Sequence, residues 1–286
     1  MTATADPAPV LPPRTAGGRA PMAPAVTRYT NETVLAVRYW TPDLLSFRTS
    51  RAADFRFTPG HYARLGLPGG AGALVWRPFS VVSARHDPTL EFVAVLVPAG
   101  EFSGQLSNVR EGDAMCVGTS SYGFMTLDGF APGRDLWLLA SGTGLGPFIS
   151  ILRDAATWQA FDHIVLVHSV RRAAELAYRD EIALLPADGA PLLADGAPLL
   201  ARARLRYLPV VTREVCTGAL DARIPALIAD GRLEQAAGLR LDLRDSRIMV
   251  CGNPEMNRAL RAQLTARGFR TSRRGVPGQL AFENYW

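Results

Sequence analysis

The chain contains no lysine; all 31 of its basic residues are arginine. That absence removes Schiff-base lysines, pyridoxal-phosphate attachment and the lysine of a P-loop. It also makes every phosphate-binding cation here a planar, permanently charged fork. Cysteine is scarce: Cys116, Cys216 and Cys251 are far apart and odd in number. Such a set is neither a disulfide framework nor a zinc site, and an iron–sulfur domain would need four closely spaced thiolates. The four histidines, His61, His86, His163 and His168, show no ligand spacing, so no metal is expected. No apolar run approaches the roughly 20 residues of a membrane helix, so no membrane partner is expected either. Residues 1–26 are rich in Ala and Pro without the apolar core of a secretory signal. They read as a disordered arm, and the setting as reducing and cytoplasmic.

What is present is a 286-residue chain, 48% hydrophobic and 20% charged, with room for two domains. A net charge of +5 suits an acidic protein partner or phosphorylated ligands. Without an Arg run or a nucleic-acid module, nucleic acid is not expected.

Residues 27–133 read as an antiparallel β-barrel. Short strands at Val34–Tyr39, Leu45–Thr49, Tyr62–Leu67, Leu74–Val82, Leu90–Val97 and Ala114–Gly118 are separated by Pro, Gly and polar turns. Residues 134–286 read as a parallel-sheet α/β domain. Its predicted strands, Leu136–Ala140, Ile164–His168, Leu205–Val211 and Ile248–Cys251, alternate with helices at Phe148–Trp158, Ala174–Leu185, Ile224–Ala229 and Pro254–Ala266. Between them, Asp128–Arg134 has the composition of a linker. ADGAPLL at Ala187–Leu193 repeats at once at Ala194–Leu200, a tandem duplication expected in a surface loop.

Chemistry-bearing residues fall at predicted strand ends. In RPFSVVS (Arg77–Ser83), Arg77 and Ser80 are three apart, and Pro78 is expected to bend the strand so that both serve one ligand. Arg77 offers a fork for phosphate, Phe79 a face for a flat heterocycle and Ser80 a hydroxyl. In PAGEFSGQL, Ser103 stands near a helix start, either as an N-cap or beside backbone N–H groups open to a pyrophosphate. SGTGLGP (Ser141–Pro147) is a glycine-rich turn that lets a backbone approach a phosphate closely. Arg171, Arg213 and Arg223 would each alone be an ordinary solvated side chain. Around one crevice they suit a dianionic phosphate. Cys251 in CGNPEM reads either as a buried strand thiol or as a site residue.

Taken together these segments resemble the ferredoxin–NADP reductase family, particularly its bacterial ferredoxin/flavodoxin–NADP reductase subgroup, from about Thr27 to Trp286. RPFS is similar to the flavin motif R-x-Y-S, with Phe79 in place of Tyr. FTPGHYARLGL is similar to F-x-x-G-Q, with His61 at the Gln position, where we read it as a barrel-edge side chain. SGTGLGP resembles G-T-G-x-x-P, CGNPEM resembles C-G-x-P-x-M, and the chain ends in the subgroup's Tyr-Trp. The resemblance implies FAD held by Arg77, Pro78, Phe79, Ser80, Val95 and Ser103, with Tyr285 and Trp286 packed over it. It implies NADP(H) received by Gly142, Thr143, Gly144, Pro147 and Gly252, its 2′-phosphate bound by Arg171, Arg213 and Arg223. Ser80 approaches flavin N5, Cys251 approaches the nicotinamide, and Glu283 carries over as a proton relay. Arg273 and Arg274 would contact FAD or an acidic partner. The implied activity is electron exchange between NADP(H) and a one-electron carrier, ferredoxin or flavodoxin, by a monomeric FAD enzyme. The competing readings are a flavoprotein component of an oxygenase or a flavin reductase, and a non-enzymatic nucleotide-binding module.

Overall fold

The computed structural model describes residues 28–185 and 203–284. The N-terminal arm, the ADGAPLL duplication, Tyr285 and Trp286 lie outside the described residues. Six antiparallel strands come first: β1 (Tyr29–Thr41), β2 (Leu44–Ser50), β3 (Tyr62–Pro68), β4 (Leu74–Ser80), β5 (Thr89–Val95) and β6 (Ala114–Tyr122), with α1 (Glu101–Leu106) before the last. They pair in the order β4-β3-β6-β1-β2-β5. Side chains alternate across a strand, so Leu45, Phe47, Leu65, Phe92, Met115 and Val117 fill one core beneath this sheet.

The sheet is not a continuously paired barrel. Its end strands, β4 and β5, meet through a single bridge, Val81↔Phe92, and the Val82 N–H donates to Glu91 O at 2.9 Å. Pro78 does not bend β4, which pairs with β3 without a register shift from Leu74 to Ser80. At Pro78 its one partner is β3, so the missing N–H falls on an open edge, where proline is tolerated. The chain turns only after Ser80.

The second sheet is parallel, in the order β11-β10-β7-β8-β9. Its strands are β7 (Asp135–Ser141), β8 (His163–Val170), β9 (Arg204–Val211), β10 (Ser246–Gly252) and β11 (Leu280–Asn284). One face carries α2 (Gly146–Leu152), α3 (Ala155–Ala160) and α4 (Arg179–Leu184). The other carries α5 (Ile224–Ala229), α6 (Arg232–Ala237) and α7 (Pro254–Ala266). Every residue of β10 is buried, as expected of a strand covered on both faces. Leu44, Val82, Val93 and Met125 join the core on the α2 side, so the two sheets share packing. Arg247 ties down the connection between them: its buried guanidinium donates to the carbonyls of Ala131, Ser246 and Arg244 at 2.6, 2.6 and 2.9 Å.

Three predicted elements need correction. The helix expected over Phe148–Trp158 is broken after Leu152, because the Asp154 carboxylate accepts from the Ala156 N–H and starts α3 anew. The helix expected over Ala174–Leu185 is a short 3-10 turn followed by α4, separated by Tyr178 at φ 61°. The tail is a fifth parallel strand, β11, paired to β10. Among the described residues no helix is long and apolar enough to cross a membrane.

Candidate functional site

Strand order reverses between β7 and β10, and ligands of such sheets bind beyond the carboxyl ends at that switch point. There the turn after β7 interlocks with the turn after β10. A Cβ on Gly144 would collide with the carbonyl of Cys251, and one on Gly252 with Ser141. The Asn253 N–H donates to Ser141 Oγ at 2.9 Å. Gly142, at φ 54°, faces open space. Its carbonyl accepts from His168 Nε2 at 3.2 Å, and burial pushes His168 down to about 4, so the ring is neutral near pH 7. Thr143 and Pro147 are buried within this turn and the start of α2. Gly144→Ala is therefore expected to cost about 1–3 kcal/mol as an overpacking change between two backbones. Gly142→Ala should cost only about 1–2 kcal/mol, for its left-handed φ alone. Urea unfolding of the two variants checks the order.

The glycine turn also meets the end of β4. A Cβ on Gly146 would stand 3.7 Å from Ser80 Cβ and 3.1 Å from Val93, and Ser80 is buried. Because β4 runs straight, Arg77 and Ser80 point to opposite faces; Ser80 turns towards α2 and Arg77 is exposed, donating to Trp76 O at 2.8 Å. Pro78 is exposed, and Phe79 is half-buried with its ring 5.2 Å from Phe102. Val95 ends β5 opposite Leu44. Ser103 is not the helix cap: Gly100 is, while Ser103 Oγ accepts from the Val97 N–H at 3.0 Å.

Behind the switch point Cys251 pairs in register with Glu283. Asn257 Nδ2 donates to Glu283 O at 2.7 Å and to Asn284 Oδ1 at 2.8 Å, fixing the end of β11 against α7. Glu283 Oε2 is buried with no hydrogen-bond partner among the described residues, and burial raises its carboxyl to about 7. Burial, followed by the neighbouring Glu283, pushes the Cys251 thiol well up. Cys251 therefore stays a thiol rather than a nucleophilic thiolate.

The three arginines gather at the carboxyl ends of β8 and β9. The Arg213 N–H donates to Arg171 O at 2.9 Å. A parallel bridge, Val210↔Leu220, brings the returning chain alongside β9, so Arg223 stands three residues beyond the bridge, as Arg213 does. Arg171 pairs with Glu175 at 3.0 Å; no ion pair of the described residues involves Arg213 or Arg223, and both are exposed. His61 is half-buried just before β3, a strand flanked by β4 and β6, with Nδ1 3.0 Å from Ser121 Oγ. Sequence reasoning missed His168 and Asn257 as supports of this site. The only signal for either was position: one ends a buried strand beside a glycine turn, the other opens a helix after a proline.

Residues 138–262 match the family model for the oxidoreductase NAD-binding domain. The ferredoxin–NADP reductase A of Sorangium cellulosum is 40% identical over 260 residues, covering 90% of each chain. The flavodoxin/ferredoxin–NADP reductase of Escherichia coli is 37% identical, over 88% of this chain and 97% of its own. A ferredoxin NADP+ reductase from Neisseria gonorrhoeae, solved with bound FAD and NADP, superposes with a TM-score of 0.81 at 35% identity, covering 90% of this chain and 99% of its own. Identity at that level along nearly the whole length carries one conclusion: the chain belongs to the ferredoxin/flavodoxin–NADP reductase family.

Proposed function

We infer that this protein is an FAD-dependent oxidoreductase exchanging electrons between NADP(H) and a ferredoxin or flavodoxin. The observation that carries this is the convergence of three contacts: Gly146 against Ser80, Gly144 against the Cys251 carbonyl, and Cys251 in register with Glu283. Bound flavin would supply the interconversion of a two-electron hydride donor with a one-electron carrier. The residues fit such a group: Arg77 and half-buried Phe79 lie together on one face of β4, and Gly142 leaves backbone open above the crevice.

In this reading Arg77 binds the flavin pyrophosphate, assisted by the segments of Val95 and Ser103. Pro78 shapes the strand edge, Phe79 lies against the ring, and Ser80 donates near the reacting face. Gly142, Thr143, Gly144, Pro147 and Gly252 admit the nicotinamide end of the dinucleotide, with Cys251 as an uncharged wall. Glu283, poised near neutrality, holds or releases a proton behind that wall. Arg171, Arg213 and Arg223 receive the 2′-phosphate as charge-assisted donors. Tyr285 and Trp286, outside the described residues, are proposed to pack over the flavin. We further propose domain limits at 27–133 and 134–286, a monomer, and a cytoplasmic setting in which the basic charge steers an acidic carrier.

Anaerobic visible-absorbance titration with NADPH and NADH in parallel tests the reading. Flavin bands bleached preferentially by NADPH are expected. Preference for NADH would move the function towards an oxygenase-type reductase. A protein unable to take up FAD would overturn the flavin assignment.

A further inference from the structure

We propose that Arg153 is a positioning residue that fixes the nicotinamide-side glycine turn against the flavin-side strand, acting through α2. The role rests on the functional reading above, but its geometry stands alone. At its first residue α2 packs on Ser80 through Gly146. One turn on, Ser150 Oγ, fully buried, donates to Ser83 O at 2.8 Å. At its end Arg153 Nη1 donates to Val82 O at 3.0 Å and to Glu91 Oε2 at 2.8 Å. The helix is thus stitched along its length to the RPFSVVS segment of the other sheet.

The same guanidinium holds a third element. Arg153 Nε and Nη2 donate to the two carboxylate oxygens of Glu181 in α4 at 2.8 and 2.9 Å, a bidentate pair. Tyr178 Oη donates to the remaining oxygen, Oε1, of Glu91 at 2.8 Å. Arg153 and Glu91 are mostly buried, with side-chain exposures of 18% and 15%. Beside them the packing is interrupted by a cavity of about 350 Å³ lined by Arg38, Trp40, Arg48 and Asp180. At this edge directional bonds hold the layers together alongside the packing of Trp40 on Tyr178, whose ring centroids are 5.0 Å apart.

Burying an ion pair yields little net stability, since desolvation offsets attraction. What a bidentate, fully bonded network does supply is a fixed geometry. Arg153 stands about 10 Å along the helix axis from Gly146, seven residues at 1.5 Å each, so a tilt of the helix at Arg153 is carried to the glycine turn. A misplacement of about 1 Å at a reacting centre can cost roughly 100-fold.

The test uses the full-length protein and three variants: Arg153→Met, Glu181→Gln and Arg85→Met. Arg153→Met strands two carboxylates and could fail to fold, and Glu181→Gln, on a partly exposed side chain, then carries the test. Arg85→Met breaks the Arg85–Asp154 pair, which also spans the two sheets but ends on the side chain of Asp154, the cap of α3, and makes no bond to the Arg153 guanidinium. In Arg153→Met and Glu181→Gln, amide hydrogen exchange over 80–83 and 146–152 is expected to quicken by about tenfold, as local opening becomes easier. The flavin-bleaching rate at saturating NADPH should fall by roughly tenfold, with half-saturation within about threefold. Arg85→Met should change neither. Unchanged exchange in both variants overturns the clamp, whatever the flavin does. Faster exchange with an unchanged bleaching rate overturns the positioning role. A wild-type protein that NADPH never bleaches would sink the functional reading, while the exchange result would still decide whether Arg153 holds α2.

Discussion

Arg213→Ala is expected to weaken NADPH binding by roughly 10- to 100-fold and to leave NADH within about twofold, the size of one lost charge-assisted contact to a phosphate. The asymmetry follows from where the three arginines stand. Arg171 already answers Glu175 at 3.0 Å, so a phosphate must share it with a carboxylate. Arg213 is exposed and has no ion-pair partner among the described residues, and the hydrogen bond from its own N–H to Arg171 O fixes its backbone. It can give its whole fork to a dianion. Arg171→Ala should therefore cost less, about fivefold, because a shared cation contributes less than a committed one. Both losses should shrink as salt rises, since the site is open to solvent and the Debye length falls from about 10 Å at 0.1 M to about 3 Å at 1 M. Half-saturation of flavin bleaching, measured with each nucleotide at two salt concentrations, checks this. Equal losses for NADPH and NADH would contradict the 2′-phosphate assignment.

Much of this site was legible because its motifs sit at strand ends and strand ends follow from hydrophobic period. The apolar runs before SGTGLGP and CGNPEM are too short for helices and are each followed by glycine, so the sequence alone puts both turns at the carboxyl edge of one sheet. The parallel order, with reversal between β7 and β10, then had to bring them together. What escaped depended on tertiary pairing. LAFEN has no strand signature of its own; it is a strand because β10 offers an edge, and strand preference is mostly context. The break at Asp154 escaped because a capping carboxylate inside an apolar run looks like one polar position of a longer helix. The bend assigned to Pro78 was misplaced for a related reason: an edge strand tolerates proline, and only the pairing reveals which strand is the edge. Arg153 carried no motif at all. Its importance lies in partners 62 and 28 residues away, a relation no local pattern encodes.

Glu283→Gln is expected to remove a fall in stability between about pH 4.5 and 7. The folded-state carboxyl is raised from 4.5 to about 7 by burial. In that window the folded protein binds a proton that the unfolded chain has released, so stability contributed by the protonated form is fully present below about 4.5 and is lost as pH rises through 7. Above 7 both states are ionised and the contribution is flat. At about 1.4 kcal/mol per pH unit the full span is on the order of 3 kcal/mol, an upper figure for a group with some solvent access. Glutamine fills the same space without titrating, so the variant should lose the slope and be the more stable form at pH 8. Urea midpoints at pH 5, 6, 7 and 8 measure this directly. The same substitution should erase any inflection near pH 7 in the rate of flavin bleaching, because Glu283 stands in register with Cys251 and its Oε2 is buried with no hydrogen-bond partner among the described residues. If the stability slope disappears and the rate inflection persists, Glu283 is a buried acid without a part in proton transfer. If both persist, the carboxyl is ionised in the folded protein at neutral pH, and the proton relay must be sought elsewhere.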